Sequence, residues 1–120
     1  MARREVFQED ALEWLKARSP VARTALVASM PDFSEFPSKS LAEWKAWFEA
    51  AALEIFRAAP EKGVAIFYQR DIKREGAWVN KAFLIQKAAE RAGMELLWHK
   101  IVLRAPAGQA TFGKPGYSHL

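Results

Sequence analysis

Apolar residues recur along this chain at two different periods. Leu41, Trp44, Phe48, Ala51 and Ile55 are separated by alternating steps of three and four residues, which lays one apolar stripe along a helix over 40–57. Ser40 and Glu43 form a capping box at its start, and Pro60 and Gly63 end it. EDALEWLKA, residues 9–17, opens with Asp10 at a capping position and Glu13 three residues on, a second helix start. Residues 79–92 return to helical spacing, with Gly93 placed to terminate them. Between these helices lie short apolar runs without alternation, Thr24–Ala28 and GVAIFYQ over 63–69. Such runs predict strands covered on both faces. MELLWHKIVLR, 94–104, predicts a long third strand, and REGAW, 74–78, a loop. After a Pro/Gly-rich connection, APAGQATFGKPG, a further strand begins at Tyr117.

Strand–helix–strand–helix–strand order with short connections predicts one α/β domain over 1–120. Its expected architecture is a mostly parallel sheet flanked by helices, with a last strand that can run antiparallel. In such sheets ligands sit beyond the carboxyl ends of the strands. The segments to watch are therefore 29–36, 69–78 and the chain after Arg104.

Composition narrows the chemistry. With no cysteine, disulfides, thiol nucleophiles and thiolate metal sites are excluded. Two histidines, His99 and His119, argue against a histidine-built metal cage. The longest apolar runs fall far short of the roughly 20 residues of a membrane span. The opening Met-Ala-Arg-Arg is not followed by the apolar block of a secretory signal, so a cytoplasmic protein is expected. A formal net charge of +4 mildly favours a polyanionic partner such as RNA or DNA.

The segment most suited to chemistry is Ser29-Met30-Pro31-Asp32, at the carboxyl end of the first buried strand. Pro31 fixes φ and makes a rigid turn there; by itself, that is a strand-ending turn. The order of segments adds to this. EDALEWL, VASMPDF, FYQRDIK and LLWHKIV, closed by YSHL, together resemble the permuted (β-class) AdoMet-dependent amino-methyltransferases of nucleic acids, across nearly the whole chain. The resemblance implies the catalytic half of a Rossmann-like methyltransferase, transferring a methyl group from S-adenosyl-L-methionine to an exocyclic amine of a base. It implies that Ser29 orients the target amine, that Met30 offers its carbonyl and that Pro31 fixes the turn, because holding the nitrogen lone pair toward the methyl group supplies most of such catalysis. Met30 stands where the family has its first proline, and Asp32 where it has an aromatic. Stacking on a flipped base then passes to Phe33 or Phe36, and Asp32 becomes a hydrogen-bond acceptor.

By the same resemblance Asp10 and Ala11 touch the cofactor's adenine; the plain role of Asp10 is to cap a helix. Asp71 and Lys73 belong to the substrate side with Trp78 and Lys81, while Arg70, Lys73 and Arg74 supply charge for phosphates. The plain alternative for QRDIKREG is a solvated loop, and for Trp78 packing. His99 is expected to be a half-buried structural histidine, with no carboxylate–histidine pairing visible in the sequence. Arg104, Lys114 and Tyr117 sit on a tail expected to form a backbone-binding flap. Trp44, Trp47 and Phe48 are core or interface. The family's glycine-rich AdoMet segment has no counterpart here, so the resemblance implies a C-terminal segment or a second chain to complete the cofactor site. The alternative from another class is a non-catalytic nucleic-acid-binding or interaction domain.

Overall fold

The computed structural model describes residues 2–18, 22–111 and 114–120. Along the chain come α1 (Ala11–Ala17), β1 (Ala25–Ala28), a 3-10 turn (Phe33–Glu35) and α2 (Leu41–Ala58). Then follow β2 (Val64–Phe67), β3 (Ile72–Arg74), β4 (Ala77–Val79), α3 (Lys81–Arg91), β5 (Ile101–Leu103) and β6 (Tyr117–His119). The described residues form a mixed α/β fold built from helices and three two-stranded sheets.

The helices form where local signals are strong. Asp10 caps α1 by accepting from the amides of Leu12 and Glu13. Ser40 and Glu43 make the reciprocal capping box on α2. The Ser40 bonds hold the Glu43 carboxyl below its ordinary 4.5. Helix α3 ends in a Schellman turn: Gly93 adopts φ +71, its N–H donates to Glu90 O, and Met94 N–H donates to Ala89 O.

β1 and β2 pair in parallel, Ala25 opposite Val64 through Ala28 opposite Phe67. Gly63 enters this pair so closely that a Cβ would collide with the Thr24 carbonyl oxygen. Leu26, Ala28, Ala65 and Phe67 face the core, where they meet Trp44, Phe48, Ala52 and Phe56 of α2 and Leu84 and Ala88 of α3. Coverage on both faces, expected from the unbroken apolar runs, is not what forms. The burial of β1 alternates, and Val27 is 73% exposed. α2 and α3 both belong to the one core, which leaves the other face of this strand pair open.

Two further expectations are corrected. The loop over 74–78 is the turn of a hairpin in which Ile72–Arg74 pairs antiparallel with Ala77–Val79. Glu75 and Gly76, both at positive φ, form its two-residue turn. The long strand expected over 94–104 is laddered only at Ile101–Leu103, where it pairs antiparallel with β6. The stretch before it forms no strand, and its first main-chain pairing is that of Lys100 with Leu120. A single bridge, Gln69 to His119, joins the end of β2 to β6. Both pairings of β6 are antiparallel, so β5 runs in the same direction as β2 and β1.

Trp44 and Phe48 are fully buried, with ring centroids 4.9 Å apart. Phe48→Ala should therefore cost about 3–5 kcal/mol in urea denaturation. Loss of the α2 cap in Ser40→Ala should cost about 1 kcal/mol. A Phe48→Ala cost as small as that of the cap would show that this layer is not the core.

Candidate functional site

Beyond the carboxyl end of β1 the chain turns through Ser29-Met30-Pro31-Asp32, and Gln69 beyond β2 holds that turn. The Gln69 side-chain oxygen accepts from Met30 N–H, and its amide nitrogen lies 3.5 Å from Met30 O. Gln69 is 3% exposed and Met30 8%, so the contact is shielded from water. One carboxamide thus fixes both polar groups of the Met30 backbone. Ser29 beside it is exposed, and its hydroxyl has no hydrogen-bond partner among the described residues. Asp32 caps the 3-10 turn: Oδ1 accepts from Phe33 N at 2.8 Å, and the Glu35 carboxylate accepts from Asp32 N at 2.7 Å. The same Oδ1 lies 3.2 Å from Nζ of Lys81, whose side chain is only 4% exposed and whose ammonium sits 5.7 Å from the Trp44 ring centroid. A buried ammonium needs such partners.

Asp71 is the hub of the buried polar network. Oδ1 accepts from the backbone N–H of Lys81, in the first turn of α3, at 2.9 Å. Oδ2 accepts from Tyr117 O–H at 2.9 Å and from His119 Nε2 at 2.8 Å. His99 Nε2 stands 2.9 Å from His119 Nδ1. An ionised carboxylate only accepts, so Nε2 of His119 carries a proton; in the neutral relay Nδ1 then accepts from His99. A carboxylate–histidine–histidine relay therefore exists where the sequence showed no such pairing. Its members are distant in the chain (Asp71 and His119 are 48 residues apart), which is why spacing gave no signal. Tyr117 belongs to this network and to β6 rather than to a flexible flap. Arg104 and Ala105 are likewise held, their amides donating to Gly116 O. Lys114 N–H donates to Thr111 O; Phe112 and Gly113 of that tail lie outside the described residues.

The residues expected on the substrate side divide into two groups. Asp71 and Lys81 are interior and committed to internal partners. Lys73 and Trp78 are a cross-strand pair on the hairpin, both exposed, with the ammonium 5.7 Å from the indole centroid. Trp78, at 47% exposed, is not a packing residue. Arg74 lies over the Phe33 ring at 5.2 Å, which ties the hairpin to the turn after β1, and Arg70 is exposed beside them. Phe33 also meets Trp44 edge-on, while Phe36 packs on Trp47 at 4.6 Å. Asp10 caps α1 through Oδ1 alone. Ala11 lines a cavity of about 310 Å³ with Phe7, Trp14, Val27 and Ala28.

Among the described residues no helix is long and apolar enough to cross a membrane, and no cluster of three or more His, Cys, Asp or Glu is arranged to hold a metal ion. Comparison with family models, with curated proteins and with solved structures finds no match for this chain.

Desolvation first, and the Asp71 carboxylate second, raise the Tyr117 phenol above its ordinary 10.0. The neutral phenol is thus favoured by folding. Its contribution to stability is complete below pH 10 and lost as pH rises through the raised value. The difference phenolate titration of wild type minus Tyr117→Phe should have its midpoint above 10, and Asp71→Asn should lower it. A midpoint unmoved by Asp71→Asn would remove the carboxylate as a cause.

Proposed function

We propose that this chain carries the amine-holding edge of an AdoMet-dependent methyltransferase acting on a base of RNA or DNA, within a Rossmann-like half-domain. The observation that carries the reading is the Gln69 clamp on the Met30 backbone. It makes the turn after β1 rigid while leaving the Ser29 hydroxyl free of partners among the described residues. A fixed acceptor on a rigid turn is what orientation of an amine lone pair requires.

In this reading Ser29 Oγ and the second lone pair of Met30 O accept from the target amine. Asp32, already engaged by Phe33 N–H, by Lys81 Nζ and by the capping box with Glu35, brings its carboxylate beside the same amine. Pro31, exposed at the rim, keeps the turn from relaxing. The cavity beside Ala11 and Ala28 is lined mainly by apolar side chains with Glu9 among them, and Asp10 adjoins it in the chain through Ala11; this lining suits an AdoMet adenosyl group. When bound, AdoMet supplies the methyl group. Lys73, Trp78 and Arg74 form the wall for a base and its phosphates.

That same exposed Lys73–Trp78 pair favours a second reading, a nucleic-acid-binding module without catalysis. Calorimetry with AdoMet separates the two. The enzyme reading expects binding, unchanged in Ser29→Ala, together with an about hundredfold loss of methyl transfer to RNA or DNA in that variant. Absence of AdoMet binding, combined with salt-sensitive RNA affinity that weakens in Lys73→Ala, would leave the binding module. An unchanged rate in Ser29→Ala would remove Ser29 from its role.

A further inference from the structure

The Asp71–His119–His99 relay does not end in the interior. His119 and His99 both line the largest cavity of the described residues, about 450 Å³, which lies among β2, α3 and residues 93–99. That volume is in the range of small-molecule sites. The cavity shares no lining residue with the one beside Ala11, so it is a separate place on the molecule.

The relay fixes where its protons sit. Asp71 is 3% exposed, and its carboxylate accepts from Lys81 N–H, from Tyr117 O–H and from His119 Nε2. With that proton on Nε2, Nδ1 of His119 accepts from Nε2 of His99 at 2.9 Å. A neutral imidazole carries one proton, so Nδ1 of His99 keeps its lone pair. This nitrogen has no partner among the described residues, and His99 is exposed. The open end of the relay is thus one hydrogen-bond acceptor, polarised by a buried carboxylate two rings away.

The rest of the lining selects what can use that acceptor. β2 contributes Val64, Ala65 and Ile66, all half-buried, and the later segment contributes Leu96, Leu97 and Trp98. Leu96 and Leu97 are each 65% exposed and Trp98 is 43% exposed, so this apolar surface is open to a ligand. No Lys or Arg lines the cavity, whereas Glu61 and Glu95 do, and an anion is therefore disfavoured.

We propose that this cavity binds an uncharged small molecule of the phenol class, whose ring and apolar substituent lie against the cavity wall and whose O–H donates to His99 Nδ1. A phenol suits the site better than an aliphatic alcohol, because its hydroxyl is the more acidic donor and its ring can pack on the Trp98 indole. An ether of the same shape sets an oxygen lone pair against the nitrogen lone pair and leaves the acceptor unsatisfied. The Asp71 network then has a second consequence besides holding β6 and α3: it sets the tautomer that recognises the ligand.

The test titrates the protein with para-propylphenol and with its methyl ether, para-propylanisole, by calorimetry and by the methyl resonances of Ile66 and Leu97. His99→Phe keeps a flat ring and removes the acceptor, and retention of the slow α2 amides checks that it is folded. The proposal expects the phenol to bind wild type about tenfold more tightly than the ether, with both methyl groups shifted, and the preference to vanish in His99→Phe. A readout that needs no variant is the nitrogen resonance of His99 Nδ1, which should move with the phenol and stay with the ether. Equal affinities in wild type, a preference for the ether, or a preference that survives in His99→Phe would overturn the proposal. So would absence of phenol binding, or binding that leaves Ile66 and Leu97 unshifted.

Discussion

The Asp71 carboxylate is the constraint on which the polar half of this molecule depends. It is buried, and three donors reach it from two separate elements: the first turn of α3 and two side chains of β6. A buried charge left without such partners would cost several kcal/mol, so the position of each element is tied to the others. The segment from Gln69 to Asp71 does double duty. Gln69 fixes the turn after β1, and Asp71 fixes β6 and the start of α3. The edge that presents Ser29 is therefore held, through Gln69, by the same short segment that anchors the Asp71 network.

The second organising fact is the asymmetry of the strand pair. α2 and α3 fill one face with Trp44, Phe48, Phe56 and Leu84, while Val27 stands open on the other. Together with the lining of the cavity between β2 and the 94–99 segment, this leaves apolar surface open at two places. The hairpin of β3 and β4 extends from the same region. Its Lys73–Trp78 pair is the most exposed cation–aromatic platform near the turn, and Arg74 on Phe33 keeps it there.

How much of this the sequence revealed depends on range. Asp10, Ser40 with Glu43, and Gly93 act on neighbours within a few residues, so the ends of the three helices were legible. β1 and β2 were legible as strands, but not their one-sided burial, because an unbroken apolar run is the same whether one face or both are covered. The hairpin turn at Glu75-Gly76 carried a signal, a glycine between two short β-prone triplets, that a reading of REGAW as a loop passed over. The stretch 94–100 has the composition of a strand, yet pairing needs a partner edge, and composition does not supply one. The Asp71–His119–His99 relay joins residues tens of positions apart and leaves no periodic trace. Of the site, the turn at Ser29–Asp32 was legible from its proline and its place after a strand. The Gln69 side chain that rigidifies it was not.

A double-mutant cycle on Asp71 and His119 tests most directly whether this carboxylate holds the structure together. Asp71→Asn keeps the shape and removes the charge, and His119→Ala removes the first partner. Each should cost about 2–4 kcal/mol in reversible denaturation, and the double variant should lose clearly less than the sum, by about 1 kcal/mol or more. Costs that simply add, or an Asp71→Asn protein as stable as wild type, would contradict the role given to Asp71.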